Sequence, residues 1–287
     1  MLIGTREKAV LITMLAGFLW GTSFPAIKVG LQYMDAYTFV FLRFLMASFV
    51  MLGICFFTRK FSLKFSKKRL ILALGIINGI AYLLQYIGMV YVSASASSLL
   101  VNLSVVWVAL LAPLAFREQL DVKKALGVMV SLLGVIFMTT NLNLASLPQG
   151  EFLSDLIVIT AGVLWAVFIV YNKPLANMAN IIQGGTWLLV FTLLPLLTII
   201  FFRFQVLASL PLDAWLAIFY TAIFCWIIPY YLWLKGLKHI SPVTSAVALL
   251  TEIVVAVTIS TIFLGEGFTL ISGIGAILII VAILLVS

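Results

Sequence analysis

Hydrophobic positions along this chain form ten long stretches, and short polar gaps between them hold nearly all the charged residues. A helix needs roughly 20 apolar residues to cross about 30 Å of hydrocarbon. Lipid cannot satisfy backbone polar groups, so spanning segments are helices or strands of a closed barrel, and the alternating segments typical of barrels are absent here. The pattern therefore predicts ten transmembrane helices. They lie near Val10–Val29, Thr38–Phe57, Leu70–Val92, Ser95–Phe116, Ala125–Thr140, Phe152–Tyr171, Ile181–Phe202, Ala214–Leu234, Val243–Leu264 and Leu270–Val286.

Composition leads to the same class of protein. The chain is 64% hydrophobic and 9% charged, and a soluble protein of this length could not cover its surface with so few polar residues. The first stretch follows Arg6 and Lys8, as a signal peptide would, but no convincing cleavage site follows it, so we expect a retained helix. Cys55 and Cys225 both lie within predicted helices, which favours packing roles over a disulfide.

The net charge of +8 is distributed unevenly and predicts an orientation rather than a nucleic-acid partner. With the N-terminus in the cytoplasm, the opposite side holds only Lys28 and Arg203, and Arg43 lies within the second helix. An excess of Lys and Arg marks cytoplasmic loops, so both termini are predicted to be cytoplasmic. The cytoplasmic basic residues are then Arg6, Lys8, Arg59, Lys60, Lys64, Lys67, Lys68, Arg69, Arg117, Lys123, Lys124, Lys173, Lys235 and Lys238.

The two halves of the chain repeat each other. Ala16–Trp20 matches Ala161–Trp165 at a shift of 145, and later matches follow at a shift of 148. Each copy holds five helices, an odd number, so the second copy enters the membrane from the opposite side. Inverted repeats recur in secondary transporters, although channels also use them and gene duplication alone would leave the same trace. The later matches pair Tyr82 with Tyr230, Gly88 with Gly236, Ser93 with Ser241, Ser97 with Ser245, Glu118 with Glu266 and Gly127 with Gly275.

Three segments carry a family resemblance: Ala16–Gly21 (AGFLWG), Arg43–Ala47 (RFLMA), and Phe263–Glu266 (FLGE) followed by Gly273 and Gly275. On these motifs the chain resembles the EamA-type family of the drug/metabolite transporter superfamily. The resemblance implies an all-α integral membrane fold of ten transmembrane helices in two inverted five-helix repeats, residues 1–142 and 150–287. It also implies export of small metabolites across the bacterial inner membrane.

The sequence departs from that family in its fourth and ninth helices. The family often has a proline after an acidic residue there, whereas this chain has Ser104-Val105 and Glu252-Ile253. We therefore expect the helix breaks that such prolines cause to be missing.

Glu252 is the sharpest candidate for a functional residue, because ionisable groups at membrane depth are costly. It lies ten residues into a predicted helix of about twenty, near the middle of the bilayer. Its carboxyl could carry a proton or bind a substrate amine. The alternative is a protonated glutamate that bonds to a neighbouring helix.

Two helix faces are predicted to line a substrate cavity. Asn78, Tyr82 and Gln85 share one face of the third helix at spacing i, i+4, i+7, and Trp226, Tyr230 and Trp233 occupy the matching positions of the eighth. With the repeat pair Trp20 and Trp165 they would form flat apolar walls with a few polar groups. Alternatively, these aromatic residues anchor helices at the membrane interface. The predicted substrate-binding residues are Trp20, Asn78, Tyr82, Gln85, Trp165, Trp226, Tyr230 and Glu252.

Other intramembrane residues have structural interpretations. Arg43 could bind a substrate carboxylate, but a structural role is favoured, either reaching toward the near membrane interface or pairing within the bundle. Glycine pairs Gly17/Gly21 and Gly75/Gly79 have the spacing that lets helices approach closely, within one chain or in a dimer. Pro25, Pro113, Pro195 and Pro229 lie in or near predicted helices and could kink them. Glu118 and Glu266 are expected at helix ends.

The sequence predicts a secondary transporter, not an enzyme. It contains no phosphate-binding loop and no metalloprotease or serine-hydrolase motif, and its single histidine, His239, is expected to be solvated beside Lys238. We expect no cofactor, metal or nucleic-acid partner, and a monomer or homodimer in the lipid bilayer. The predicted activity is export of amino acids or similar small aromatic or apolar metabolites by alternating access. A channel-like passive pore and a phosphorylated-metabolite or nucleotide-sugar antiporter are the alternatives.

Overall fold

The ten predicted helices are all present in the structure, which is a computed structural model describing residues 4–62, 66–117, 120–140, 152–203, 210–265, 267 and 269–286. Within these residues, eight helical stretches are long and apolar enough to cross a membrane. Helix α10 is shorter, at 17 residues, and packs along the 19-residue helix α5. The helices are α1 (Thr5–Gly30), α2 (Ala36–Phe57), α3 (Lys68–Tyr91), α4 (Ala94–Phe116), α5 (Val122–Thr140), α6 (Phe152–Ala176), α7 (Ile181–Arg203), α8 (Leu212–Leu237), α9 (Pro242–Leu264) and α10 (Leu270–Val286).

Packing between the helices follows an approximate two-fold symmetry that exchanges α1–α5 with α6–α10. Helix α3 packs on α6 as α8 packs on α1, and α4 packs on α6 as α9 packs on α1. In the same way α3 contacts α7 and α8 contacts α2. The pairs α2–α7 and α5–α10 are their own counterparts, so they lie across the symmetry axis. The fold is therefore two five-helix repeats in opposite orientations, as predicted.

Glycine contacts show the same symmetry at the level of single residues. A Cβ on Gly88 would lie 3.2 Å from the carbonyl oxygen of Ser154, and a Cβ on Gly236 would lie 2.7 Å from that of Ala9. Gly236 follows Gly88 by 148 positions, and Ser154 follows Ala9 by 145. The predicted repeat therefore describes equivalent close contacts between helix backbones, α3 on α6 and α8 on α1.

Both predicted glycine pairs serve packing within the chain. A Cβ on Gly17 would lie 2.9 Å from the carbonyl oxygen of Leu249, so α1 crosses α9 at backbone distance. A Cβ on Gly75 would lie 2.8 Å from the carbonyl oxygen of Leu188, where α3 crosses α7. Small residues allow such approach, and close approach maximises van der Waals contact where lipid provides no hydrophobic drive.

Helices α4 and α9 are both interrupted, so the expectation of missing breaks is wrong. The α4 segments Ala94–Asn102 and Ser104–Phe116 meet at Leu103, and the α9 segments Pro242–Leu249 and Thr251–Leu264 meet at Leu250. At each junction the backbone turns more tightly: Val106 N donates to Leu103 O at 3.1 Å and Leu250 N donates to Val247 O at 3.1 Å, both three residues apart.

Polar side chains beside these junctions bond back to the preceding turn. The amide of Asn102 donates to the carbonyl oxygen of Ser98 at 2.9 Å, and the hydroxyl of Thr251 donates to that of Ala248 at 2.9 Å. Such bonds can bend a helix, but Asn172 makes the same bond to Phe168 at 2.8 Å inside the continuous helix α6. The breaks therefore occur without proline, and the back-bonds accompany them.

The four candidate kink prolines divide into two groups. Pro25 follows an interruption of α1 at Thr22, and Pro229 follows a wider π-helical turn of α8 at Ile223–Ile227. Pro113 and Pro195 lie inside helical segments that continue through them. Proline is thus neither required nor sufficient for a break in this fold.

Arg43 joins α2 to α3 and α8 and is fully buried. Its guanidinium donates to the carbonyl oxygens of Thr221 at 3.1 Å and Cys225 at 2.9 Å, and to the hydroxyl of Tyr86 at 2.7 Å. Arg43 of the first repeat thus bonds two backbone oxygens of the second. This is pairing within the bundle, one of the two structural roles that the sequence favoured.

Replacing Arg43 with Met should destabilise the fold by about 3 kcal/mol, because buried acceptors on α8 lose their donors. The measurement is unfolding in detergent by heat or denaturant. Arg69→Met is the matched control, since Arg69 is exposed at the start of α3, and it should change stability by less than about 0.5 kcal/mol. Equal losses in both variants would contradict the bridging role of Arg43.

Candidate functional site

A cavity lies where α1, α3, α4, α6, α8 and α9 meet, beside the interruptions of α4 and α9. It contains about 590 Å³ of space free of protein atoms, including its open mouth. Both repeats contribute three helices to it, so it lies between the repeats. The lining residues are Trp20, Ser23, Tyr82, Gln85, Val101, Asn102, Ser104, Trp165, Phe168, Ile169, Trp233, Ala246, Leu249 and Glu252.

Five of the eight predicted substrate-binding residues lie in this lining, namely Trp20, Tyr82, Gln85, Trp165 and Glu252. The structure thus brings together residues from α1, α3, α6 and α9 that are far apart in the chain. Their proximity is a property of the fold, and their contact with a substrate stays a prediction.

The other three predicted residues lie outside this lining and contact protein groups. The amide of Asn78 donates to the hydroxyl of Thr192 at 3.0 Å, on α7. Trp226 stacks on Tyr230 with ring centroids 4.6 Å apart, and the hydroxyl of Tyr230 donates to Asn172 at 2.9 Å. All three side chains are almost fully buried. The helix-face argument thus included residues that face neighbouring helices instead of the cavity.

Aromatic rings form a continuous wall along the cavity. Tyr82 meets Trp165 edge to face at 4.7 Å between ring centroids, and Trp165 meets Phe168 in the same way at 5.3 Å. Phe168 stacks on Trp233 at 5.9 Å, and Trp233 meets Trp20 edge to face at 5.8 Å. Such ring pairs each contribute about 0.5–1.5 kcal/mol beyond their buried area. The wall is therefore held in shape by contacts among its own members.

Polar contacts orient the indole rings of this wall. Trp233 donates its N–H to the hydroxyl of Ser245 at 2.8 Å, and Trp165 donates to the side-chain oxygen of Gln85 at 3.3 Å. The indole nitrogen of Trp20 is buried and has no protein partner among the described residues. A buried donor without a partner is costly, so the N–H of Trp20 is available to an acceptor on a bound molecule.

Glu252 lies in the first turn after the α9 interruption, near the middle of the helix. Asn102, beside the α4 interruption, lines the same cavity, so the two interruptions each place a polar side chain there. The backbone of α1 passes closely here, because a Cβ on Gly21 would lie 2.7 Å from Cβ of Val255. No Lys or Arg belongs to the cavity lining among the described residues. Among those residues, Glu252 is the one carboxyl in a lining of aromatic, aliphatic and neutral polar groups.

Arg43 packs against Tyr82, a residue of the cavity lining, and is not itself part of that lining. Its guanidinium carbon lies 4.5 Å from the ring centroid of Tyr82, whose ring lines the cavity. A cation over an aromatic face is attracted by the ring. Arg43 therefore fixes the position of Tyr82 without lining the cavity itself.

Most lining positions form pairs across the repeat, and the chemistry differs in three of the five pairs. In those three the first repeat supplies a small or polar residue where the second supplies an aromatic or acidic one. This comparison identifies lining residues that helix-face reasoning missed, including Ser23, Ser104 and Phe168. The pairs are Trp20 with Trp165, Ser23 with Phe168, Gln85 with Trp233, Val101 with Leu249 and Ser104 with Glu252.

Two acidic residues were expected at helix ends. Glu118 and Glu266 both lie outside the described residues. Their matched positions in the repeat remain a feature of the sequence alone.

Comparison with known proteins agrees with this architecture. The profile of the EamA-like transporter family matches residues 7–140 and 152–287, one match in each half. The uncharacterized transporter YyaM of Bacillus subtilis is 26% identical over 283 residues, covering 96% of this chain and 92% of its own. An uncharacterized transporter of Archaeoglobus fulgidus is 25% identical over 252 residues, covering 84% of each chain.

A solved crystal structure superposes on this fold with a TM-score of 0.75, covering 98% of this chain and 96% of the other. Its sequence identity is 18%, so it shows the fold alone. The two family matches together span nearly the whole chain, and both whole-length relatives are named as transporters. The chain therefore belongs to the EamA-like transporter family of the drug/metabolite transporter superfamily.

Proposed function

We propose that this membrane transporter carries amino acids or similar small metabolites that combine an amine with an apolar or aromatic body. The observation that supports the proposal is the composition of the central cavity: one carboxyl, Glu252, faces aromatic walls between two inverted repeats. Small-molecule sites generally combine apolar walls with a few orienting polar groups.

The carboxyl of Glu252 and the aromatic rings favour a cationic group on the substrate. A carboxylate binds an ammonium group through charge-assisted hydrogen bonds, and the faces of Trp and Tyr attract cations within about 6 Å. Gln85, Asn102 and the N–H of Trp20 add neutral donors and acceptors for the remainder of the molecule. An aromatic or aliphatic side chain would contact the wall that contains Phe168.

Alternating access is the mechanism that the symmetry supports. The breaks at Leu103 and Leu250 flank the cavity at equivalent places in the two repeats. If the repeats exchange conformations, the cavity opens to each side of the membrane in turn. Glu252 adjoins the α9 break and Asn102 adjoins the α4 break, and both line the cavity. A proton or substrate on the Glu252 carboxyl would therefore act next to the helix segments that move.

Phosphorylated substrates fit this cavity less well. Phosphate binding in a dry site generally requires Arg or Lys, and the lining contains neither among the described residues. Arg43 directs its guanidinium to protein acceptors. Kinetics distinguish a passive pore from a transporter, because flux through a pore would neither saturate nor respond to substrate on the opposite side.

Export and orientation belong to the same proposal. Relatives of this chain occur in a bacterium and an archaeon, and the basic residues cluster on one side of the membrane. We place the protein in the plasma membrane with both termini in the cytoplasm and infer outward transport of the substrate.

Purified protein in proteoliposomes should transport a subset of amino acids or aromatic metabolites with saturation and trans-stimulation. The measurement is uptake and efflux across a panel of amino acids, aromatic amines and phosphorylated sugars, with and without an imposed pH gradient. Flux that neither saturates nor responds to substrate on the opposite side would support a pore. Selective flux of the phosphorylated compounds would contradict the proposed substrate class.

Glu252→Gln should abolish transport or remove its dependence on the pH gradient, because an amide neither binds a proton nor pairs with an ammonium group. The initial rate in proteoliposomes is the measurement. Asp213→Asn, at an exposed acid at the start of α8, is the matched control and should retain wild-type rates. Unchanged rate and pH dependence in Glu252→Gln would exclude Glu252 from substrate and proton binding.

Single cysteines placed in the segments Leu142–Leu147 and Ser62–Phe65 should be labelled from opposite sides of the membrane, because an odd number of helices separates them. The measurement uses a membrane-impermeant thiol reagent on whole cells and on lysed cells, in a chain whose buried Cys55 and Cys225 are replaced with Ala. Labelling of both segments from one side would contradict the inverted orientation.

A further inference from the structure

We propose that a groove at the Lys-rich end of the bundle, remote from the transport cavity, binds the phosphate headgroup of an anionic phospholipid. The groove, here called the basic groove, lies between the start of α1, the α6–α7 connection and the end of α8, with about 990 Å³ of space including its open mouth. Basic pockets between transmembrane helices are a known form of lipid headgroup site. Its lining residues are Thr5, Lys8, Ala9, Ile12, Ala176, Met178, Ala179, Ile181, Leu234, Lys235, Lys238 and His239.

Three ammonium groups converge on the basic groove. Lys8 extends from α1, while Lys235 and Lys238 lie at the end of α8, and all three are exposed. In the part of the chain that the structure describes, none of these ammonium groups has a hydrogen bond or ion pair. Among the described residues, no Asp or Glu belongs to the lining. The groove therefore concentrates positive charge without a carboxylate in its described lining.

The carbonyls at the end of α8 do not explain these lysines. A cation near a helix C-terminus often bonds the last carbonyl oxygens, but Lys173 of α6 already does so. Its ammonium donates to the carbonyl oxygens of Leu237 at 2.6 Å, Lys238 at 3.2 Å and Ile240 at 2.7 Å. The side chains of Lys235 and Lys238 are thus left to an external anion.

The basic groove also offers apolar surface of the kind that a lipid contacts. Ile12, Ile181 and Leu234 lie in its lining beside the charged groups. One helical turn along α1, Leu11 and Leu15 are half exposed, and they extend the apolar surface toward the bilayer core. Apolar surface beside the charged groups favours a membrane lipid, whose acyl chains would contact it, over a soluble phosphate compound, which has no acyl chain.

Repeat symmetry shows that the fold itself does not require these charges. The positions equivalent to Lys8, Lys235, Lys238 and His239 in the other repeat are Leu153, Ile87, Val90 and Tyr91. None of these four equivalent positions carries a charge. The excess of basic residues expected on the cytoplasmic side could be supplied by lysines in any loop there. Lys8, Lys235 and Lys238 instead all line the same groove.

Native mass spectrometry of the full chain from mixed detergent and lipid tests the proposal. The probes are phosphatidylglycerol and phosphatidylcholine at equal concentration, with inorganic phosphate as competitor. The variants are Lys8→Gln/Lys235→Gln/Lys238→Gln and the charge-preserving triple Arg substitution. Lys60→Gln/Arg69→Gln/Lys123→Gln is the control, since it removes the same charge from exposed residues outside the groove.

We expect the wild type to retain phosphatidylglycerol over phosphatidylcholine and the triple Gln variant to bind it at least about tenfold more weakly. The triple Arg variant and the control should bind like the wild type, and millimolar inorganic phosphate should not displace the lipid. Equal losses in the groove and control variants would reduce the effect to general surface charge and overturn the proposal. Displacement by inorganic phosphate would assign the groove to a soluble anion instead.

Discussion

The structure depends on one constraint: within lipid, every backbone polar group must find its partner inside the protein. Regular helices meet this constraint through their own backbone hydrogen bonds. Where a helix is irregular, side chains can supply hydrogen bonds to its backbone. At the breaks of α4 and α9, Asn102 and Thr251 bond to carbonyls of the preceding turn. In α8, Arg43 supplies the donors for two carbonyl oxygens. Each irregularity that shapes the central cavity is thus paired with a polar side chain that makes it tolerable.

Duplication explains the positions of the lining residues, and divergence explains their chemistry. Two inverted copies bring equivalent positions to a shared axis, so a site between them receives residues in pairs. In a strictly symmetric pair the cavity would bind equally in two opposite poses. Ser104 opposite Glu252, and Gln85 opposite Trp233, make the lining asymmetric. Under the proposed function, a carboxyl on one side and neutral amides on the other would favour one orientation of an asymmetric substrate.

Acidic and basic side chains are separated between the two concavities. Among the described residues, the central cavity is lined by one acid and no Lys or Arg, whereas the basic groove is lined by three lysines and no acid. Helix α6 contributes to both regions. It carries Trp165 of the cavity, and Lys173 near its end donates hydrogen bonds to carbonyl oxygens at and after the end of α8. A headgroup in the groove would therefore contact the same helix end that α6 fixes.

The sequence by itself determined the ten helices, their inverted repetition and the family, because span length and copy offset are linear properties of the chain. It also indicated Glu252 and the pair Trp20 and Trp165. Tertiary structure alone decided that Gln85 faces the cavity whereas Asn78 faces α7. The lipid-facing side of a helix is as apolar as its buried side, so no polarity pattern marks which face is central. The breaks at Leu103 and Leu250 were hidden for a related reason: Asn and Thr side chains also bond back inside continuous helices, as Asn172 and Thr192 do, so the local sequence does not mark where a helix is interrupted.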